Sequence, residues 1–243
     1  MIGRQVILAV MIVALLGAGL FTYYEFGMPS SGCSAPNAPV AGRYQALTIR
    51  FGAVTEYCLD NPSRWSNGIF VAPDGSVWFG EQAVPGLGHL FTNGTVVEYP
   101  WPGYHGGGSV SSSPTSSIWG VVAWNGRIWA ADGDANKLFG FDPADRSTIS
   151  VNATGAPFPY LLTPAPDGSL WFTTLSAKPL LASLGTDLSL TVYPVSGIGK
   201  EEPIQVLFEN STLAYMVALN PDSTTGEGGL YSFDPQTSTG TIA

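Results

Sequence analysis

Large ring side chains return at one position of a repeating hairpin: Trp78, Trp129, Trp171 and Tyr215 stand 51, 42 and 44 residues apart. Each follows a tight-turn signal and sits among aliphatic and aromatic residues. The stretch Gly68 to Pro102 shows the unit in full. Ile69-Phe70-Val71 leads into a turn at Pro73-Asp74-Gly75, and Val77-Trp78-Phe79 returns beside it. Leu90-Phe91 and Val96 to Tyr99 then make a second hairpin around Asn93-Gly94. Asp-Gly and Asn-Gly supply the positive φ angles of tight hairpins, and the flanking residues suit strands. The unit therefore predicts four short antiparallel strands. A period in the forties built from such units is the pattern of β-propeller blades.

The remaining units follow the same order. In the second, Trp119 to Ala123 turns at Asn125-Gly126 into Arg127 to Ala131, and strands at Lys137 to Asp142 and Thr148 to Val151 follow. The third begins at Tyr160, turns at Pro166-Asp167-Gly168, continues through Leu170 to Phe172 and finishes at Leu190 to Val195. The fourth begins at Ile204, turns at Glu209-Asn210-Ser211, continues through Leu213 to Met216, and ends on Leu230 to Asp234 and Ser238 to Ala243. Ala46 to Tyr57 matches only the second hairpin of a unit. The expectation is an all-β domain over residues 44–243, with four full blades and a half blade. The long first spacing reflects an inserted Gly/Ser loop, His105 to Ser117.

Ahead of this domain, Val6 to Tyr24 contains no charged residue. As a helix, a run of that length spans about 28 Å, close to the hydrocarbon thickness of a bilayer. Tyr23 and Tyr24 sit where interfacial aromatics belong. The run is longer than a signal-peptide core and no small-x-small cleavage site follows it. Residues 1–28 are thus expected to be one transmembrane anchor, with a cleaved signal segment as the alternative, residues 29–43 a Pro/Ser/Ala/Gly spacer, and the propeller domain extracellular. The only two cysteines, Cys33 and Cys58, are expected to form a disulfide tying the spacer to the first strands, since outward-facing compartments favour such bonds. Asn93, Asn152 and Asn210 begin acceptor triplets for N-glycosylation on predicted turns. Nine Lys and Arg against eighteen Asp and Glu, a net charge of −9, leave too little basic surface to neutralise a phosphate backbone, which excludes a nucleic-acid partner.

The phrases PDGSVWFGE, TVVEYPWP and PDGSLWFTT resemble the repeats of the virginiamycin B lyase (streptogramin lyase) family. Pro73 to Glu81 with Gly94 to Pro100 matches best, Pro166 to Thr174 next, and the second and fourth units loosely. The resemblance implies a seven-bladed ring and, in the lyases, a magnesium-dependent site using histidines and a glutamate of late blades. Here the two histidines, His89 and His105, both fall in the first unit, so no catalytic residue carries across.

Three positions beyond the ring side chain, the four units place Glu81, Asp132, Thr174 and Ala218. Equivalent positions of a propeller lie at one height. Glu81, Asp132 and the nearby Asp134 are therefore candidates to hold a magnesium or calcium ion at one mouth; the plainer alternative makes them solvated acids at strand ends. His89 and His105 are expected in surface or hydrogen-bonded structural roles. The four repeating rings are expected to fill the gaps between blades. Trp65, Trp101, Tyr104, His105 and Trp119 lie off that repeat and are candidates for an exposed binding surface.

The reading that follows is a membrane-anchored extracellular propeller acting as a binding, recognition or complex-subunit module, tethered through residues 6–24. Further subunits of a membrane or envelope complex would cover the sheet edges of an open arc. The alternative is a metal-dependent, streptogramin-lyase-like C–O lyase or a hydrolase, with Glu81 and Asp132 beside the ion.

Overall fold

The computed structural model describes residues 43–45, 47–51, 54–59, 66–81, 86–100, 117–176, 178–220 and 228–243. All regular structure in them is β. Three short strands come first: β1 (Arg43–Gln45), β2 (Leu47–Phe51) and β3 (Val54–Cys58). The first blade is β4 (Ser66–Val71), β5 (Val77–Glu81), β6 (Gly86–Leu90) and β7 (Thr95–Pro100). The second is β8 (Ile118–Trp124), β9 (Arg127–Asp132), β10 (Lys137–Phe141) and β11 (Thr148–Asn152). The third is β12 (Pro159–Pro164), β13 (Leu170–Thr174), β14 (Leu180–Leu184) and β15 (Leu190–Pro194). The fourth is β16 (Glu202–Phe208), β17 (Ala214–Leu219), β18 (Gly228–Asp234) and β19 (Thr239–Ile242). Each blade is an antiparallel sheet with its strands in sequence order, and β4, β8, β12 and β16 lie side by side as the inner strands of a propeller-like arc.

Local chemistry sets the hairpins. Asn125 and Gly126 both adopt positive φ, 47° and 74°, which makes the two-residue turn between β8 and β9. At Asp74, Asp145, Asp167 and Asp187 the carboxylate accepts the backbone N–H of a serine two residues on, fixing four turns the same way. β14, in the third blade, is a strand the turn signals do not announce.

Packing between blades carries the fold. Trp78, Trp129 and Trp171 are 3%, 1% and 4% exposed, each in a separate apolar cluster that joins its blade to the next. Trp171 meets Phe208 and Phe233 of the fourth blade edge-on, with centroids 5.4 and 6.1 Å away, and the Trp124 indole N–H donates to the Gly168 carbonyl across the second interface at 2.8 Å. Gly140, opposite Trp129 in the ladder, leaves room for its ring: a Cβ there would lie 2.9 Å from the indole. The fourth ring departs from this scheme. Tyr215 occupies the repeat position expected to fill an inter-blade gap, yet it is 41% exposed, because among the described residues no blade follows to cover it.

The start of the arc differs from the expected half blade in one respect. β2 and β3 do form the hairpin, but Arg43, assigned to the spacer, opens β1, which adds a fifth strand to the outer edge of the first blade by pairing with β7. At the end of β3 and just beyond it, Tyr57 and Leu59 line a cavity of about 390 Å³ with Phe79, Leu90 and Val96 of the first blade, and Leu59 packs against Phe79 and Val96. On the same blade Ile69 and Val71 of β4 are 72% and 63% exposed. No helix among the described residues is long and apolar enough to cross a membrane; the predicted span 6–24 lies outside them.

Candidate functional site

One irregularity recurs in every blade. Each inner strand pairs regularly with its neighbour except for a bulge near its start, between Asn67 and Ile69, Ile118 and Val121, Pro159 and Leu162, and Pro203 and Gln205. A bulge re-aims side chains and is a common device beside binding sites. Here the bulged residues include Gly68, Trp119, Tyr160 and Ile204. The inner strands approach closely at this level. A Cβ on Gly120 would lie 2.7 Å from the Tyr160 carbonyl oxygen, and Gly68, at φ +54°, abuts the Trp119 carbonyl.

The bulges of the second and third blades bring Trp119 and Tyr160 together, half-buried, with ring centroids 5.1 Å apart. Phe158 joins them at 6.1 Å from Trp119. All three planes are tilted, and each position is fixed by its surroundings. The Trp119 indole N–H donates to Ser117 Oγ at 2.9 Å, and that hydroxyl donates to Asp134 Oδ2 at 2.5 Å. Phe158 has φ 51°, its N–H donates to Asn136 Oδ1 at 2.7 Å, and its ring lies against Gly133 where a Cβ would stand only 2.6 Å away. The indole N–H is already engaged, so Trp119 has its π face to offer a ligand. Asp134, exposed, provides the polar edge of the same patch.

The acids expected to converge are placed differently. Glu81, Asp132, Thr174 and Ala218 are equivalent, each pairing with a residue at the start of its inner strand, but all four are fully buried, so Glu81 and Asp132 are not solvated strand-end acids. Asp132 Oδ1 accepts the N–H of Ser117 at 3.1 Å and of Ala135 at 3.0 Å, a turn-building role. Among the described residues no group of three or more His, Cys, Asp or Glu side chains gathers closely enough to hold a metal ion.

His89 is buried, stacked on Trp78 at 3.9 Å, with Nε2 2.9 Å from Ser76 Oγ; that hydroxyl donates to Asp74 Oδ1 at 2.6 Å. Burial holds the imidazole below its ordinary value, partly offset by the charge of Asp74, whose own carboxyl is kept low by hydrogen bonds from Ser76. The three residue types suggest a nucleophile and its base, but serine, not histidine, is the middle member. The third blade repeats the arrangement with an indole: Trp171 Nε1 donates to Ser169 Oγ, and Ser169 to Asp167. A ring N–H of either kind serves, which identifies both as turn latches.

Of the other candidates, Trp65, Trp101, Tyr104, His105 and Cys33 lie outside the described residues. Cys58 is buried, and the described residues hold no free cysteine. Asn93 and Asn210 are exposed on turns, where each side-chain oxygen accepts the N–H of the triplet's threonine; Asn152 is exposed too, but closes strand β11 instead of a turn. Tyr160 and Phe158 escaped sequence reasoning. Tyr160 was visible as a strand start, but its display by a bulge depends on the neighbouring blade.

The arc and its mouth define a β-propeller-type protein with an aromatic patch at one end of its inner strands. No family model matches the sequence, and no curated protein matches it. Among solved structures the fold is similar to virginiamycin B lyase from Staphylococcus aureus, at TM-score 0.59 and 19% identity over 79% of this chain and 64% of that one. A streptogramin B lyase gives TM-score 0.59 and 18% identity over 80% and 63% of the two chains. A gluconolactonase from Xanthomonas campestris gives TM-score 0.52 and 14% identity over 74% and 61%. The chain spans a little under two thirds of the length of these lyases, and the likeness is one of fold.

Proposed function

We propose that this chain is a membrane-tethered, outward-facing binding module that takes a ring-shaped, hydroxyl-bearing ligand, such as a sugar residue, on the Trp119–Phe158–Tyr160 patch. The observation that supports it most is the display of Trp119 and Tyr160 from equivalent bulges of adjacent inner strands, with the Trp119 indole held through Ser117 to Asp134. An aromatic face packs against the apolar side of a sugar ring, and a carboxylate beside it accepts from the hydroxyls. The tether is residues 6–24. A Cys33–Cys58 bond and glycans at Asn93, Asn152 and Asn210 accord with exposure outside the cell.

Calorimetric titration of the purified protein with a panel of soluble oligosaccharides tests the reading. Binding by the native protein, lost by at least about tenfold in Trp119→Ala and weakened in Asp134→Asn, is the expected result. A ligand whose affinity is indifferent to Trp119 and Tyr160 places the site elsewhere. Carbonate extraction of membranes tests the tether separately, since release of the chain into the soluble fraction is incompatible with it.

A further inference from the structure

We infer that the outward face of the fourth blade binds a second copy of this chain, the two faces packing on each other about a two-fold axis. Wherever the repeat places a tryptophan on this side of a blade, the next blade buries it; only Tyr215 is left open. Around it Leu207, Val217, Leu219 and Leu230 are exposed on the same side of the sheet. The paired rows Leu207–Tyr215–Ser232–Thr241 and Gln205–Val217–Leu230, the centre of this face, carry no charged side chain; Glu202, opposite Leu219, and Asp234, two residues past Ser232, lie at its margins. On a chain of net charge −9, such a face is where two copies approach with least repulsion.

Size and shape favour this occupant. The five apolar side chains expose about 450 Å², so two copies with the flanking polar residues bury more than about 1,000 Å², the lower bound of a specific interface. Four strands, regular in register from Gln205 onward, offer a sheet that packs on its own copy as in a sandwich. The opposite end of the arc lacks a matching plane, because Tyr57 and Leu59 stand over Phe79, Leu90 and Val96 of the first blade beside the exposed Ile69 and Val71. Two like faces therefore meet better than head and tail.

The test uses the full chain extracted in detergent, its protein mass measured by light scattering at several concentrations. A dimer is expected. Val217→Arg and Leu230→Lys change side chains that face solvent in the monomer; either should raise the dissociation constant about tenfold or more while far-UV circular dichroism is unchanged. Val217→Cys should cross-link to itself under mild oxidation, and Thr191→Cys, exposed on the third blade, should not. A native monomer at tens of micromolar overturns the proposal, as does a dimer indifferent to both charged variants. Cross-linking of Val217→Cys only to a cysteine at Ile69, or a different protein held in place of the second copy, overturns it equally.

Discussion

Trp171 and Tyr215 occupy the same place in successive blades, so truncating each isolates what a neighbouring blade contributes. Trp171 stacks on Tyr193 at 4.6 Å, meets Phe208 and Phe233 edge-on, and donates its N–H to Ser169. Trp171→Ala removes about 200 Å² of buried ring surface, an upper figure of about 5 kcal/mol. Partial collapse of the site brings the expected loss to about 4 kcal/mol, or roughly 10 °C in melting temperature for a domain of this size. Tyr215→Ala loses only packing on cross-strand neighbours such as Leu207 and Ser232, about 1 kcal/mol. The assay is urea unfolding followed by far-UV circular dichroism at low protein concentration, so that association does not add to stability. Equal losses in the two variants, or a Trp171→Ala loss below about 1.5 kcal/mol, refute the view that blade-to-blade burial of the repeating ring holds the arc together.

Three further outcomes are expected. His89 is held below its unfolded value near 6.5, so the folded state binds fewer protons than the unfolded one; its contribution is intact above that pH and is lost as pH falls toward the lowered folded value. Urea midpoints between pH 8 and pH 5 should show this slope, and His89→Gln should flatten it. Asp132→Ala strips two backbone N–H groups of their acceptor and should cost about 2 kcal/mol, whereas Asp132→Asn keeps the accepting oxygen and should cost less than half of that in the same unfolding assay. At Gly126, where φ is 74° and nothing lies within 4 Å of a Cβ, Gly126→Val should lose about 1–2 kcal/mol by backbone strain alone, and Gly126→Asn should recover most of it.

Of the aromatic patch only Trp119 was within reach of the sequence as a candidate; Phe158 was not, and the geometry of the patch was not. Trp119 stood out because it broke the repeat, and it lies half-buried in the bulge of β8. Tyr160 could be read as the start of a strand, but its pairing with Trp119 needs two bulges in register, and those depend on how closely Gly120 lets the inner strands approach. The equivalence of Glu81 and Asp132 was legible from spacing; their burial was not. Asp132 turns inward to accept the backbone N–H groups of Ser117, just before β8, and of Ala135, in the β9–β10 turn, a meeting that no count of acids reveals.

The sequence by itself determined the hairpins, since Asp-Gly, Asn-Gly and Asp-x-Ser turns act within a few residues, and it determined the blade period through the returning ring side chains. Tertiary structure alone decided which rings are buried. Trp78, Trp129 and Trp171 lie inside because another sheet stands on them, while Tyr215, equivalent in sequence, faces outward. The same holds for β1, whose first residue, Arg43, falls in the expected spacer and which pairs with β7 because a sheet edge selects its partner across the fold, not along the chain. Turn chemistry is local and survives in any context; burial and edge pairing belong to whatever surface arrives alongside.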